Sequence, residues 1–427
     1  MIVFKFGGAS VNSAAAVRNM AAIVSQYRGQ RLVVVISAMG KTTNRLEQLI
    51  PGVTPTEQHP ELLAALEKYH YDIIDDLFQD RKNPVYGAVS MLFTQLRQAI
   101  ASTPYPTADS YNADYDRVVS FGELISTTII SHYLNHIGLA NRWVDIRQVV
   151  ITDTNHREGH VDWQRTRANA QTLDSMVTNT TIVITQGFIA GGSDGSTTTL
   201  GREGSDYSAA IVSHCLGAES MTIWKDVPGF LNADPKYFAN TVKISQIPYN
   251  EAIELAYYGA SVIHPKTVKP LQNLDIKLHI RSFLDPEAEG SVVGPFSHIE
   301  PLTPLYIFRN QQVLLSIMPK DFSFIAEDNL QIIFGTLAEV GVRVNMMQNS
   351  ALSFSVVVDD NAQLLDSMIT KLGSQFRVRY NRGLQLITIR YYNQEVIDRT
   401  VAARPILLEQ RSRSTVQILV ETQPEHN

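Results

Sequence analysis

The sequence predicts an α/β protein with a mostly parallel sheet, followed by a smaller α+β region of βαββαβ pattern. Two observations carry this. Short β-branched runs alternate with helical periodicity over the first two-thirds, and both period and composition change around residues 284–304. Length is the third: at roughly 150 residues per domain, a chain of 427 residues has room for two large domains or three ordinary ones.

Ile2–Phe6, Arg31–Ser37, Thr181–Gly187 and Ser220–Trp224 are each followed by small residues and then a helical pattern. Such runs suit strands buried on both faces of a parallel sheet. Ligands of open α/β sheets gather at the carboxyl ends of the strands, so the loops after these runs are the places to search. From Glu61 to Ile100 the alternation breaks. LLAALEKYHYDIIDDLF and AVSMLFTQLRQAI repeat at helical spacing and read as a helical insertion.

LDPEAEGSVVGPFSHIEPLTP holds four prolines and two glycines without sustained periodicity, which marks a domain boundary. Beyond it Gln312–Met318, Val342–Met347, Leu352–Val358 and Phe376–Tyr380 read as strands, with helices at Phe322–Val340 and Asn361–Ser374. Leu384–Tyr391, a helix near Glu395–Ala403, Ile406–Gln410 and Val416–Glu421 begin the motif again and stop before its second helix. The region reads as an internal repeat with a truncated second copy.

Composition removes several function classes. Lys and Arg number 36 against 42 Asp and Glu, a formal charge of −6, so no basic excess exists to follow a nucleic-acid backbone. The one cysteine, Cys215, precludes an internal disulfide and most thiolate metal sites, and reads as a small buried hydrophobe. No apolar run approaches the ~18–20 residues of a membrane span. MIVFKFGGAS lacks the layout of a secretion signal, so a soluble, cytoplasmic protein is the expectation.

Four loops carry candidate chemistry. KFGGASV, Lys5 to Val11, ends the first strand. Gly7 and Gly8 let backbone N–H groups approach an anion, Ser10 is placed to cap the next helix, and Lys5 adds a point charge suited to a transferring phosphoryl group. An ordinary strand–turn–helix would also explain the glycine pair. VVVISAMGKTTN, Val33 to Asn44, imitates a P-loop in Gly40, Lys41 and Thr42, but Val35 stands where the template needs glycine. It reads instead as a second loop bordering a nucleotide site, with Thr43 and Asn44 opening a helix.

TTTLGREGSDYSAA, Thr197 to Ala210, leads into a helix marked by Ser205 and Asp206. Exposed backbone donors, that capping pair and Arg202 between glycines suit a carboxylate or phosphate. WKDVPGFLNADPK, Trp224 to Lys236, joins two turn sequences after a strand and reads as a wall for a nucleotide base and ribose. Glu123 in SFGELIS would by itself only complement a helix dipole. The pairs His132/His136 and His156/His160 lack the glutamate of a zinc-protease helix, with Tyr133 and Arg157 in its place, so no metal site is assigned.

Taken together, these blocks resemble an aspartokinase of the amino acid kinase family. KFGGASV, SFGE ending at Glu123, TQGFIA at Thr185–Ala190, TTTLGREGSDYSAA, WKDVPGFLNADPK, GASVIHPKT at Gly259–Thr267 and RSFLDPEAEG stand in the family's order up to Val293. The tail resembles paired ACT domains, the regulatory module of such kinases. The resemblance implies a catalytic domain at 1–295, a tandem ACT-like region at 305–427 and no homoserine dehydrogenase part. It further implies transfer of the γ-phosphoryl of MgATP to the side-chain carboxylate of L-aspartate. The product is 4-phospho-L-aspartate, at the first step toward lysine, threonine and methionine, with ATP and Mg2+ required.

By matching position, Lys5 would stabilise the transferring phosphoryl and Asp206 would orient Lys5 or the metal–phosphate assembly. Gly7, Gly8 and Ser10 would donate to phosphate. Arg202 would hold the substrate α-carboxylate and Glu123 its ammonium, with Thr43 and Ser205 as further contacts. Lys225, Asp226 and Lys236 would line the nucleotide side. The chain departs from the family at Leu231, in place of tyrosine, at Ser261, in place of lysine, and at Glu203, in place of glycine and expected to face solvent.

Asn345, Ser350–Ala351 and Asp328–Asn329 replace the family's effector-site residues, which predicts weak or absent lysine inhibition. Tyr306–Arg309 is expected to join the sheet of the last strands, and the apolar face left by the missing helix implies a homodimer through this region. Two rival readings stay open on the sequence: a regulatory amino-acid-binding protein without kinase activity, and a kinase of this fold with another acceptor.

Overall fold

The computed structural model describes residues 1–102, 108–260, 262–321 and 323–422. The chain forms two compact units. One comprises Met1–Leu231, Lys243–Ala256 and Ser261–Pro301, the other Asn232–Val242, Tyr257–Ala260 and Leu302–Asn427.

The first unit is built on an eight-stranded sheet. Its order is Gln246–Pro248, Ser291–Gly294, Lys277–Ser282, Ser220–Lys225, Ile2–Phe6, Leu32–Ile36, Ile182–Gln186 and Asn141–Val144. Only Lys277–Ser282 and Ser291–Gly294 pair antiparallel; the other neighbours are parallel. Leu32–Ile36 is buried at every position, as expected of an apolar run without alternation. The register brings Phe6 beside Ile36 on one side and Trp224 on the other, so three strand ends lie level. The helical insertion is present as His59–Leu77 and Pro84–Ala101.

Two capping expectations are corrected. Ser13, not Ser10, caps the helix Ala14–Ser25 by accepting from the Ala16 N–H at 3.2 Å, because the chain makes a 3₁₀ turn, Gly8–Val11, before the helix begins. Ser10 Oγ instead donates to the Trp224 carbonyl at 3.2 Å. Ser205 and Asp206 lie inside the first turn of Gly204–Cys215, and Glu203, at φ +55°, occupies the cap without a side-chain bond. Their side chains are therefore not consumed by the helix end.

The second unit carries a six-stranded antiparallel sheet. Its order is Val344–Asn349, Phe354–Asp359, Leu305–Pro319, Phe376–Arg390, Thr415–Glu421 and Ile406–Arg411. The two central strands have 15 residues each. The expected pair Phe376–Tyr380 and Leu384–Tyr391 is thus one strand, with register shifts taken up around Gln312. Leu305–Arg309 pairs with the 386–390 half, as expected of the strand completing the second repeat. Phe322 lies outside the described residues, and the helix expected from it runs Glu327–Val340.

Val313, Leu315, Ile317, Val356 and Phe376 pack with Ile333 and Leu337 of that helix and Leu365 and Met368 of Ala362–Leu372. In the second repeat Ile387, Ile389, Val416 and Ile418 pack with Val396 and Ile397 of Gln394–Val401. The face expected to be bare is partly covered from upstream: the Phe238 ring stands 4.6 Å from Tyr306 and the Tyr237 ring 4.6 Å from Phe308. A reading that looked only downstream for the missing helix could not find this cover. No helix among the described residues is long and apolar enough to cross a membrane.

Candidate active site

At the carboxyl ends of Ile2–Phe6 and Leu32–Ile36 lies a cleft of ≈ 720 Å³. Lys5, Gly8, Thr43, Glu123, Arg202, Ser205 and Asp206 all line it, drawn from segments some 200 residues apart in sequence. Gly8 makes the approach of two loops possible. A Cβ there would lie 2.7 Å from the Gly40 carbonyl oxygen and 2.8 Å from that of Ala38, and the Gly40 N–H donates to Gly8 O at 3.0 Å.

Opposite charges meet at the buried carboxylate of Asp206. Lys5, 7% exposed, places Nζ 2.7 Å from Oδ1 of the fully buried Asp206, and Lys225 Nζ stands 3.5 Å from Oδ2. These contacts are ionic; neither carboxylate oxygen has an aligned hydrogen bond. Burial by itself would raise the Asp206 carboxyl, but the ammonium groups of Lys5 and Lys225 outweigh it and hold the pKa below the ordinary value. Lys225 also donates to Val262 O at 2.6 Å. Two cations against one anion, beside a helix N-terminus, leave a net positive pocket floor.

Glu123 lies at another point of the cleft, in the first turn of Phe121–His136 and 2% exposed. Its Oε1 accepts from the Ala38 N–H at 3.1 Å, while Oε2 has no partner. Burial pushes its carboxyl up to about 8, opposed by the Ala38 N–H and by Lys5. Arg202 sits on the exposed loop before Gly204–Cys215 and makes no ion pair among the described residues. Glu203 beside it is exposed, as expected.

The remaining predicted residues do not line the cleft. A Cβ on Gly7 would lie 3.3 Å from Lys5 Nζ, so this glycine leaves room for the ammonium. Ser10 is buried on Trp224, and Lys225 reaches the site through Asp206. Asp226 is exposed. Lys236 is exposed within the second unit, its N–H bonded to Asp234 Oδ1 at 2.9 Å. Leu231 ends the short strand Phe230–Leu231, and Ser261 lies outside the described residues.

The model of the amino acid kinase family matches residues 1–282. Lysine-sensitive aspartokinase 3 of Escherichia coli is 33% identical over 359 residues, 83% of this chain and 77% of its own. The chain belongs to the amino acid kinase family, on its aspartokinase branch. The chloroplastic aspartokinase 1 of Arabidopsis thaliana is 30% identical over 363 residues, and the match spans 62% of that relative's length. The crystal structure of E. coli aspartokinase III in complex with aspartate and ADP superposes with a TM-score of 0.84 at 29% identity, covering 99% of this chain and 96% of that one.

Within this aspartokinase, sequence reasoning missed one part of the cleft. Tyr115, Arg157 and Phe188 also line it. Behind them the fully buried Asp116 accepts from Thr199 Oγ1 at 2.6 Å and the Arg157 N–H at 2.9 Å, and pairs with His156 Nδ1 at 2.9 Å. His160 pairs with Asp153 at 2.8 Å, so both histidines of that pair meet carboxylates. No group of three His, Cys, Asp or Glu that could hold a metal occurs among the described residues. Asp116 gave no signal because its partners come from two distant segments, His156–Arg157 and Thr199.

Proposed function

We propose that this aspartokinase transfers the γ-phosphoryl of MgATP to the side-chain carboxylate of L-aspartate, forming 4-phospho-L-aspartate and ADP. The observation that carries the reading is one cleft holding both a cationic floor and an unpartnered buried carboxylate. The chemical difficulty is mutual repulsion between an anionic nucleophile and an anionic phosphate. It is met by positioning and positive charge, without a covalent intermediate.

Lys5 and Lys225 offset the charge that builds on the transferring phosphoryl group, and Asp206 holds both ammonium groups in register. Gly7 and Gly8 leave space for the phosphate; Ser10 braces the loop from below. Glu123 Oε2 accepts the substrate ammonium, which also favours its ionised form. Arg202 takes the α-carboxylate with its planar fork, and Thr43 and Ser205 complete the aspartate pocket. Asp226, which follows the strand Ser220–Lys225, is assigned to the nucleotide side. Mg2+, which needs few protein ligands, would be held mainly by the ATP phosphates and would neutralise part of their charge.

The six-stranded antiparallel sheet of the second unit supports reading it as two ACT-like repeats, and we assign it a regulatory role in the pathway to lysine, threonine and methionine. Phe324, Met347 and Leu352 are exposed in its first half, where the Ile325 N–H bonds Ala351 O at 2.9 Å and brings the segments of Phe324 and Leu352 together. These exposed apolar side chains support a homodimer, and the reading includes a cytoplasmic location. ATP- and aspartate-dependent ADP release tests the catalytic reading. Release with glutamate or acetylglutamate but not aspartate would overturn it, and a monomeric mass in sedimentation would remove the dimer.

A further inference from the structure

We propose that Arg157 is a second specificity-determining guanidinium of the aspartate pocket, gripping the α-carboxylate beside Arg202. The inference rests on the catalytic reading above but has its own observations. Arg157 lines the cleft, and its guanidinium lies 4.2 Å from the Tyr115 ring centroid. The guanidinium makes no hydrogen bond or ion pair among the described residues, so its donors are available to a ligand while the aromatic face fixes their plane.

The backbone under it is held with some effort. Arg157 has φ +66°, a left-handed conformation unusual for arginine, and its N–H is tied to Asp116 Oδ2 at 2.9 Å. That carboxylate has no exposure and is gripped by Thr199 and His156 as well. The loop also abuts the Arg202 loop. A Cβ on Gly201, at φ +76°, would lie 3.1 Å from the Arg157 carbonyl oxygen. Two arginines are thus presented to one cleft from two touching loops.

The surrounding charge selects the anion. Glu158 and Glu203, each next in sequence to one of these arginines, also line the cleft, and they oppose a polyphosphate more strongly than a single carboxylate. The phosphoryl end already has Lys5 and Lys225. The α-carboxylate is the ligand group that matches a monovalent anion held by two forks.

Arg157→Gly is the informative variant, because glycine adopts the left-handed backbone freely and only the guanidinium is lost. Calorimetric titration of L-aspartate, without nucleotide, should show its Kd raised about tenfold or more. β-Alanine keeps the ammonium and the side-chain carboxylate but lacks the α-carboxylate. Its affinity should change less than about twofold, as should the KM for ATP, while Arg157→Lys recovers only part of the loss. Unchanged aspartate affinity, an equal loss for β-alanine, or a raised ATP KM in its place would each overturn the assignment. A wild-type protein that binds aspartate without turning over MgATP would refute the catalytic reading and leave this one standing.

Discussion

The two units dispose of their polar groups in opposite ways. In the first, Glu123 Oε2 is buried without a partner and two ammonium groups crowd the single carboxylate of Asp206. In the second, side chains close on one another. Asn345 accepts from Arg309 Nη1 at 2.9 Å and donates to Gln312 Oε1 at 2.8 Å and Asp359 Oδ1 at 2.9 Å. Gln385 donates to Asn310 Oδ1 at 2.7 Å and accepts from Arg404 Nη1 at 2.8 Å. A satisfied network specifies one packing; a buried group left unmatched carries a cost that a ligand can remove. The contrast separates scaffold from site without reference to any relative.

The sharpest way to break that contrast is Glu123→Gln. Its folded pKa, about 8, lies above the ordinary 4.5, so between these values the unfolded chain holds fewer protons than the native one. The contribution of Glu123 is neutral below 4.5, becomes unfavourable as pH rises to about 8, and stays so above. Glu123→Gln should therefore raise the Tm at pH above 8 by removing up to about 5 kcal/mol of penalty, leave it unchanged near pH 4, and weaken aspartate binding. Equal Tm values for variant and wild type across that range would show that the carboxylate is not strained.

Lys5→Ala comes next. It should lower kcat by about 10²–10³-fold, roughly 3–4 kcal/mol of lost electrostatic stabilisation, with the circular dichroism spectrum retained. A kcat near wild type would place phosphoryl transfer elsewhere. Arg202→Ala should raise the KM for aspartate by roughly 1.5–3 kcal/mol of lost charge-assisted bonding and spare that for ATP; an unchanged aspartate KM would remove its carboxylate role.

On the satisfied side, Asn345→Ala should cost about 1–3 kcal/mol of stability, read as a lower denaturant midpoint, with kcat/KM unaltered. The smallest effect is expected from lysine itself. Both ends of the Asn345 amide are occupied within the unit, and Ser350 Oγ is engaged with Ser353, its oxygens 2.8 Å apart. An effector ammonium finds no free carboxylate at either position. Sub-millimolar inhibition of the kinase by lysine would contradict this.

Much of the cleft was legible because its parts are local. Gly7 and Gly8 after an apolar run, and an arginine between glycines before a helix, are short-range signatures of a loop that approaches an anion. Glu123 was found only through the company of the other motifs, since a glutamate in a first helical turn has an ordinary use. Asp116 and Arg157 were missed for the opposite reason: Asp116 matters through Thr199 and the His156–Arg157 segment, and Arg157 through Tyr115, contacts that span some 40 residues or more of chain. In the second unit, the repeat and its strand order could be read, but not that one strand runs unbroken from Phe376 to Arg390.

The amino-acid sequence by itself determined which segments become strands and helices, because hydrophobic period and turn chemistry act over a few residues. It also determined which loops can lie close to a phosphate. Only the tertiary structure decided that Lys5, Glu123 and Asp206 share one cleft, that Arg157 joins them, and that Phe238 covers Tyr306. Those outcomes depend on which strand ends lie level and which faces meet. Contacts across two hundred residues of chain are set by packing and register, and no local period encodes them.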